Sequence, residues 1–180
     1  MPARQLRPDD AEFAPFYAGY VSLVPDGDIV AILATQLDDT LALLNPLTDS
    51  QGGYRYGPDK WSIREVLGHV ADAERVFAYR TMRIARGDAT PLPGFDENAY
   101  VPAGRFEERP LASLTAELAA VRRATVALLA GLPDEAWELA GTASDARVTV
   151  RGLAWITAGH ELHHRRLLSE RYLASLANAP

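Results

Sequence analysis

The sequence predicts an all-α protein that folds as a four-helix bundle. Four long stretches place apolar residues at spacings of three and four, and segments rich in proline and glycine separate them. Strand-like alternation is essentially absent, and the short run "RVTV" at 147–150 is interpreted as a lead-in to the last helix. Because an amphipathic helix must bury its apolar face against another element, four such helices favour a bundle.

The first two helices have clear boundaries. The first is predicted over about 28–44, where leucines recur on one face and an aspartate precedes the first turn. The second is predicted over about 62–86. Its start carries Ser62 and Glu65 in the spacing of a capping box, and a glycine follows its end.

The last two helices are predicted over about 110–130 and 150–176. Pro110 is compatible with a first helical turn, and a glycine ends the third helix. Gly152 and Gly159 interrupt the fourth helix, and an exposed helical glycine costs about 1 kcal/mol relative to alanine. We therefore expect these two glycines to permit a close approach by another helix.

The segments outside the helices differ in character. Residues 87–109 form a connection of about 23 residues that includes three prolines and three glycines, and a loop this long is expected either to cover a functional site or to pack over another part of the fold. A short helical turn is predicted at 134–139. Residues 1–25 carry too many aromatic side chains to lie in water, so an ordered, extended N-terminal arm is expected. The chain is predicted to be one domain over 1–180, with the bundle at 26–176.

Composition excludes several classes of function. The chain contains no cysteine, so disulfides, thiolate metal sites and a cysteine nucleophile are excluded. The net charge is −6 and there is one lysine, which argues against a nucleic-acid partner. The apolar runs fall short of the roughly 20 residues of a membrane helix, and the N-terminus lacks the apolar core of a signal peptide. We therefore expect a cytoplasmic protein without a membrane partner.

Three of the four histidines lie in the last predicted helix. At about 100° per residue, His160 and His164 fall within about 40° of each other, in the middle of the apolar face. Histidines at i and i+4 can direct their imidazole nitrogens at one point. His163 falls about 60° from His160, at the flank of that face.

The run "HELHH" also fits the H-E-x-x-H pattern of helical zinc proteases. No third ligand follows it, and a small helical bundle is an unusual protease scaffold. Glu161, the glutamate of that pattern, lies about 100° from His160 on the wheel and points toward a helix interface. A protease is therefore disfavoured.

The fourth histidine, His69, lies on the core-facing stripe of the second helix. Histidines from two helices of a bundle could form a three-nitrogen metal site with coordination positions left open, which is the catalytic pattern. Spacing alone leaves a second interpretation open, in which these are buried histidines with polar partners in the core. It also leaves His163 as an alternative ligand to His164.

The residues that carry these features resemble a known family. The stretch "KWSIREVLGHVADAERVFAYR", with the pattern W-S-x-x-E-V-x-x-H-x-x-D from Trp61 to Asp72, resembles the DinB-like, damage-inducible superfamily of metal-binding bundles. The H-x-x-x-H pair near the C-terminus resembles it too, and the likeness covers roughly residues 26–176. It implies an up-down-down-up four-helix bundle and a divalent metal held by His69, His160 and His164.

The resemblance also implies a class of chemistry. Characterised members include thiol S-transferases that use low-molecular-weight thiols such as bacillithiol, so the main hypothesis is a metal-dependent transferase that activates a thiol cosubstrate. The alternatives are a hydrolase that uses metal-bound water and a non-catalytic, metal-binding dimeric bundle. Zinc is the expected ion, with nickel or iron as alternatives. Because ligand imidazoles must be neutral, metal affinity is expected to fall below about pH 6.

Further residues are candidates for roles around the metal or a small-molecule substrate. Glu65 and Asp72 could orient a ligand histidine, although a helix cap or a solvated ion pair explains them equally well. Arg80 could bind a substrate carboxylate, but a salt bridge at the end of the bundle is the favoured interpretation. A homodimer is expected from the family and from the apolar surface of the first and third helices. The candidates are Glu65, Asp72, Arg80, Glu161 and His163.

Overall fold

The computed structural model describes residues 2–177, so Met1 and residues 178–180 of the predicted domain lie outside the described residues. A four-helix bundle forms the core, with a small two-stranded sheet at one end. Three of the four long helices lie within a few residues of their predicted bounds. The fourth, predicted over 150–176, begins at 150 and ends as a regular α-helix at 167, after which a π-helix and a short α-helix continue to 177. The helices are α1 (Ala18–Val21), α2 (Ile29–Leu44), α3 (Ile63–Ala85), α4 (Glu97–Ala103), α5 (Leu111–Ala130), α6 (Val150–Leu167) and α7 (Ala174–Ala177), with a π-helix at Leu168–Leu173 and strands β1 (Ala140–Ala143) and β2 (Ala146–Thr149).

Side-chain caps fix where the long helices begin. The Asp28 carboxylate accepts a hydrogen bond from the backbone N–H of Val30, at 3.0 Å. Ser62 and Glu65 form the predicted capping box at the start of α3, and Thr149 caps α6. Such caps satisfy backbone donors that a helix leaves unpaired in its first turn.

Helices α2 and α6 run parallel, since residue numbers at their successive contacts increase along both helices. The Gln36 amide donates to the Ala158 carbonyl at 3.3 Å. One turn later, Thr40 donates to the Glu161 carboxylate.

Helices α3 and α6 run in opposite directions. His69 lies beside His160, whereas Trp61, earlier in the chain, accepts a hydrogen bond at its carbonyl from the hydroxyl of Tyr172 at 2.8 Å. This antiparallel pairing brings the middle of α3 against the middle of α6.

Helices α3 and α5 run parallel. The Asp49 carboxylate holds both first turns, since it pairs with Arg64 and accepts from the Leu111 backbone N–H. About three turns further along both helices, Arg122 pairs with Glu74. The order up-down-down-up is therefore confirmed.

The long connection between α3 and α5 contains α4, and Phe106 packs its ring against Gly68, where a Cβ would lie 2.4 Å from the ring. One prediction about the connections was wrong. The run at 147–150 is not a simple lead-in, because most of it is strand β2, paired antiparallel with β1. Ser144 and Asp145 turn this hairpin with φ of 51° and 60°, which short polar residues tolerate. The turn predicted at 134–139 is confirmed as a 3-10 helix at Asp134–Glu138.

The N-terminal segment is ordered but not extended. It forms 3-10 turns at Ala3–Gln5, Asp10–Glu12 and Pro15–Tyr17, followed by α1. The backbone of this segment lies directly on the two glycines of α6. A Cβ at Gly159 would lie 2.1 Å from the Tyr20 carbonyl oxygen, and one at Gly152 would lie 2.7 Å from that of Glu12. The expected close approach is thus confirmed, and it seats α1 over the middle of α6.

Helix length and composition bear on membrane insertion. Within residues 2–177, none of the helices combines the length and the apolar character required to span a bilayer.

Candidate metal centre

Three histidines from two antiparallel helices converge in the core. His69, His160 and His164 are 7%, 6% and 9% exposed, respectively. Their candidate ligand atoms all lie within 4.8 Å of one another. The Nε2 atoms of His69 and His160 are 3.1 Å apart. The convergence depends on the i, i+4 spacing in α6 and on the depth of His69 along α3.

This arrangement suits a divalent metal ion. Metal–nitrogen bonds of about 2.0–2.1 Å, at bond angles of about 90–110°, place two ligand nitrogens about 2.9–3.4 Å apart. The separation between His69 and His160 falls in that range. In addition, Nδ1 of His164 is buried without a hydrogen-bond partner among the described residues, and a buried polar atom in that state is unusual in a folded protein.

Burial keeps the three imidazoles neutral. It lowers the pKa of His69 to about 4, although the negative charge of Glu97 acts in the opposite direction. It lowers the pKa of His164 to about 3, with smaller effects from neighbouring histidines. The pKa of His160 is also held well below its ordinary value, first by burial and then by the positive charges that the other imidazoles and Arg122 would carry. Neutral imidazole is the form that binds a metal.

Aromatic rings surround the cluster. The Trp61 ring lies 4.8 Å from that of His69, centroid to centroid. Phe77 and Tyr20 contact His160 edge-on at 5.6 and 5.5 Å. Trp61 therefore borders the cluster directly, and the role of Tyr20 was not foreseen because no local pattern places α1 over α6.

His163 stands at the flank, as the helical wheel predicts. Its ring contacts Tyr20 at 5.2 Å and His164 at 5.1 Å, and it is half-buried. It lines a surface groove of about 490 Å³ between α1 and α6. It does not belong to the group of converging ligand atoms.

Glu161 turns away from the histidines. Its carboxylate accepts a hydrogen bond from Thr40, and its other oxygen lies 3.9 Å from Arg122. Burial raises the pKa of Glu161, while Arg122 and Thr40 partly oppose that rise. The glutamate of the H-E-x-x-H pattern therefore belongs to a helix interface, as predicted.

That interface is a buried polar network that the sequence analysis missed. Arg122 from α5 pairs through two nitrogens with Glu74 from α3, at 2.8 Å each, and donates to the Leu33 carbonyl at 3.1 Å. Gln36 from α2 and Glu161 from α6 complete it, so each long helix contributes. The sequence did contain a feature that could have predicted this network. Glu74 and Arg122 each lie on the apolar face of a helix, where an ionised side chain requires a buried partner.

Glu65 and Asp72 have structural partners. Glu65 accepts from the Ser62 backbone N–H at 2.8 Å and pairs with Arg55 at 2.6 Å. Asp72 pairs with Arg75 at 3.1 Å on the surface of α3. Their described hydrogen bonds and ion pairs do not involve the histidines.

Arg80 is buried and links two segments of the chain through hydrogen bonds. Its guanidinium donates to the Pro93 carbonyl at 2.7 Å and to the Ser144 hydroxyl at 2.8 Å. It thereby ties the long connection to the turn of the hairpin. This explains its burial without the predicted end-of-bundle salt bridge.

Fold and site together define a four-helix bundle with a candidate three-histidine metal centre. The family model of the DinB superfamily matches residues 32–168, and the chain therefore belongs to the DinB superfamily. Among solved structures, the chain is similar to YfiT from Bacillus subtilis, described as a probable metal-dependent hydrolase with an unusual four-helix bundle topology. The identity is 18%, the match covers 95% of this chain and 94% of that chain, and the TM-score is 0.67. A comparison with curated proteins gave no match.

Proposed function

We propose that the chain is a divalent-metal-dependent enzyme that acts on small molecules, with His69, His160 and His164 as the protein ligands. The observation that carries this proposal is the convergence of three buried, neutral imidazoles, two of them with nitrogens 3.1 Å apart. Three nitrogen ligands leave open positions for a molecule that reacts. Zinc is the proposed ion, with nickel and iron as alternatives.

The proposed reaction is transfer of a low-molecular-weight thiol to an electrophile. A bound divalent ion would supply the Lewis acid that lowers the pKa of a coordinated thiol. The thiol S–H bond breaks and its proton passes to a base, the sulfur forms a bond to an electrophilic carbon, and the leaving group departs with the electron pair. The chain contains no cysteine, so the sulfur comes from the cosubstrate.

The residues of the chain have separate tasks in this proposal. The histidines hold the ion, and the rings of Trp61, Phe77 and Tyr20 exclude water from the sides of the cluster. The buried pair of Arg122 and Glu74 fixes α3, which carries His69, against α5.

Hydrolysis is the second candidate. The similar structure, YfiT, is described as a probable metal-dependent hydrolase, and a three-histidine centre can equally lower the pKa of water. Against it, Glu161 is engaged by Thr40 and cannot serve as the base of a protease-like site.

One set of assays separates these candidates. Metal-loaded protein is incubated with a model electrophile and bacillithiol, mycothiol, glutathione or coenzyme A in turn. We expect conjugation with at least one thiol, loss of turnover in His69→Ala, and retention of turnover in the control His163→Gln. Turnover of an activated ester without thiol would favour hydrolysis, and absence of metal from protein purified without chelators would contradict both candidates.

A further inference from the structure

Arg80 is a buried cation without a counter-ion. Within residues 2–177, two arginines are buried, Arg80 and Arg122, each with 2% of its surface exposed. Arg122 pairs with the Glu74 carboxylate through two nitrogens, whereas none of the described carboxylates forms an ion pair with Arg80. An arginine keeps its positive charge in proteins. Because an unpaired buried charge costs free energy, the position of Arg80 favours an anion from another molecule.

The Arg80 guanidinium has hydrogen-bond donors that the fold does not use. It carries five N–H groups. Nη2 donates to the Pro93 carbonyl at 2.7 Å and to the Ser144 hydroxyl at 2.8 Å. Nε and Nη1 have no acceptor in the described part of the chain, yet neither belongs to the fully enclosed atoms that lack a partner. These two nitrogens are therefore accessible to a ligand.

Arg80 lines a cavity of about 270 Å³ between α3, the long connection and α4, here called the Arg80 cavity. Three aromatic residues also line it, namely Tyr79, Phe95 and Tyr100. Tyr79 and Tyr100 are 49% and 48% exposed, and the ring centroids of Phe95 and Tyr100 are 5.4 Å apart. Aromatic rings offer flat apolar faces to a ligand, and a cavity of this size suits a small molecule.

The charges around the Arg80 cavity select a ligand with one negative charge. None of the described residues that line the cavity is acidic. Its second cation, Arg75, is already paired, with Asp72 at 3.1 Å and with Glu117 at 2.5 Å. The charge of Arg80 therefore remains to be compensated, and a carboxylate supplies one negative charge and accepts hydrogen bonds from a guanidinium.

The Arg80 cavity is separate from the metal centre. Arg80 follows His69 in α3 by eleven residues, which corresponds to about 16 Å along the helix axis. A small molecule held at Arg80 is thus too far away to coordinate an ion held by the histidines. Binding at this cavity does not depend on the proposed function.

We propose that the Arg80 cavity binds a small carboxylate that has a flat, apolar or aromatic body. The carboxylate accepts a hydrogen bond from Nε or Nη1 of Arg80 and compensates its charge. The body of the ligand lies against the rings of Tyr79, Phe95 and Tyr100. The ligand thereby contacts α3, the long connection and α4 at once.

The test uses benzoate as the probe, benzamide as its uncharged analogue, and inorganic phosphate as an anion without a ring. Each is titrated into ¹⁵N-labelled protein freed of metal and chelator, and binding is followed in the NMR spectrum of the backbone amides. Arg80→Met removes the charge, and Arg123→Met makes the same change at an exposed position of α5. Tyr100→Ala removes one wall, and Phe16→Ala removes an exposed ring that does not line the cavity.

We expect benzoate to shift the amide signals of residues 92–100 in a saturable way. Arg80→Met should weaken benzoate binding about tenfold or more, because a hydrogen bond between charged groups is lost. Benzamide and phosphate should each bind to wild type roughly tenfold more weakly than benzoate, since one lacks the charge and the other lacks the ring. Tyr100→Ala should weaken benzoate binding roughly fivefold, whereas Arg123→Met and Phe16→Ala should match wild type.

Four results would overturn the proposal. The first is wild-type protein without a saturable response to benzoate. Equal affinities for benzoate and benzamide would show that the cavity does not recognise charge, and equal affinities for benzoate and phosphate would show that the rings contribute nothing. The fourth is wild-type affinity in folded Arg80→Met protein. If that variant does not fold, the three ligands with wild type and the pair Tyr100→Ala and Phe16→Ala still decide the question.

Discussion

Acid should destabilise the metal-free protein through its buried histidines. An unfolded histidine has a pKa near 6.5, whereas burial lowers the pKa of His69 to about 4 and that of His164 to about 3. Below pH 6.5 the unfolded state binds protons that the folded state does not bind. The free energy of unfolding therefore falls as the pH decreases from 6.5 toward about 4, below which the folded protein also takes up protons.

The magnitude follows from these pKa values. At pH 5 the solution is about 1.5 pH units below the pKa of an unfolded histidine. Each pH unit over which only the unfolded state is protonated lowers the free energy of unfolding by about 1.4 kcal/mol per histidine. Between pH 7 and pH 5 each of the two histidines should therefore cost about 2 kcal/mol. For a domain whose total stability is of the order of 5–15 kcal/mol, this is a large fraction.

Urea unfolding in the presence of a chelator, followed by circular dichroism at pH 7 and pH 5, measures this effect. His69→Gln removes one titrating group and should reduce the difference between the two pH values by about 2 kcal/mol. The control is His163→Gln, because that side chain is half-buried and should contribute less. If wild type and His69→Gln lost equal stability, the histidine cluster would not be the source of the acid sensitivity.

Three further predictions concern metal binding and the packing around the centre. Co²⁺ affinity should stay constant from pH 7 to pH 5 and decline only near pH 4, because the buried imidazoles remain neutral above that pH. Ordinary histidines would instead lose affinity from about pH 6. A pH titration of Co²⁺ binding measures the difference. Gly159→Ala should cost about 1–3 kcal/mol in thermal unfolding, because its Cβ would meet the Tyr20 carbonyl. Gly19→Ala, with no atom within 4 Å, should not destabilise. Arg122→Met should cost about 3–5 kcal/mol by leaving Glu74 buried and unpaired. Arg122→Met combined with Glu74→Gln should recover part of that loss, and no recovery would argue against the ion pair as the cause.

Features encoded over short distances in the chain could be predicted. The period of apolar residues located the four long helices, and Ser62 with Glu65 marked the start of α3 because a capping box is closed within one turn. The placement of His160 and His164 on one face also follows from helical geometry alone. These are local consequences of backbone geometry, so one segment is sufficient to predict them.

Features that require two distant segments were decided by tertiary packing. The seating of α1 depends on the fit between the Tyr20 carbonyl and the bare backbone at Gly159, so the expected extended arm was wrong. The network around Arg122 draws one side chain or more from each long helix, and no single helix reveals its partners.

The sequence by itself determined that the chain forms an amphipathic helical bundle with three histidines on core-facing stripes. Only the tertiary structure decided that their nitrogens meet, because the relative depth of α3 and α6 depends on packing between helices.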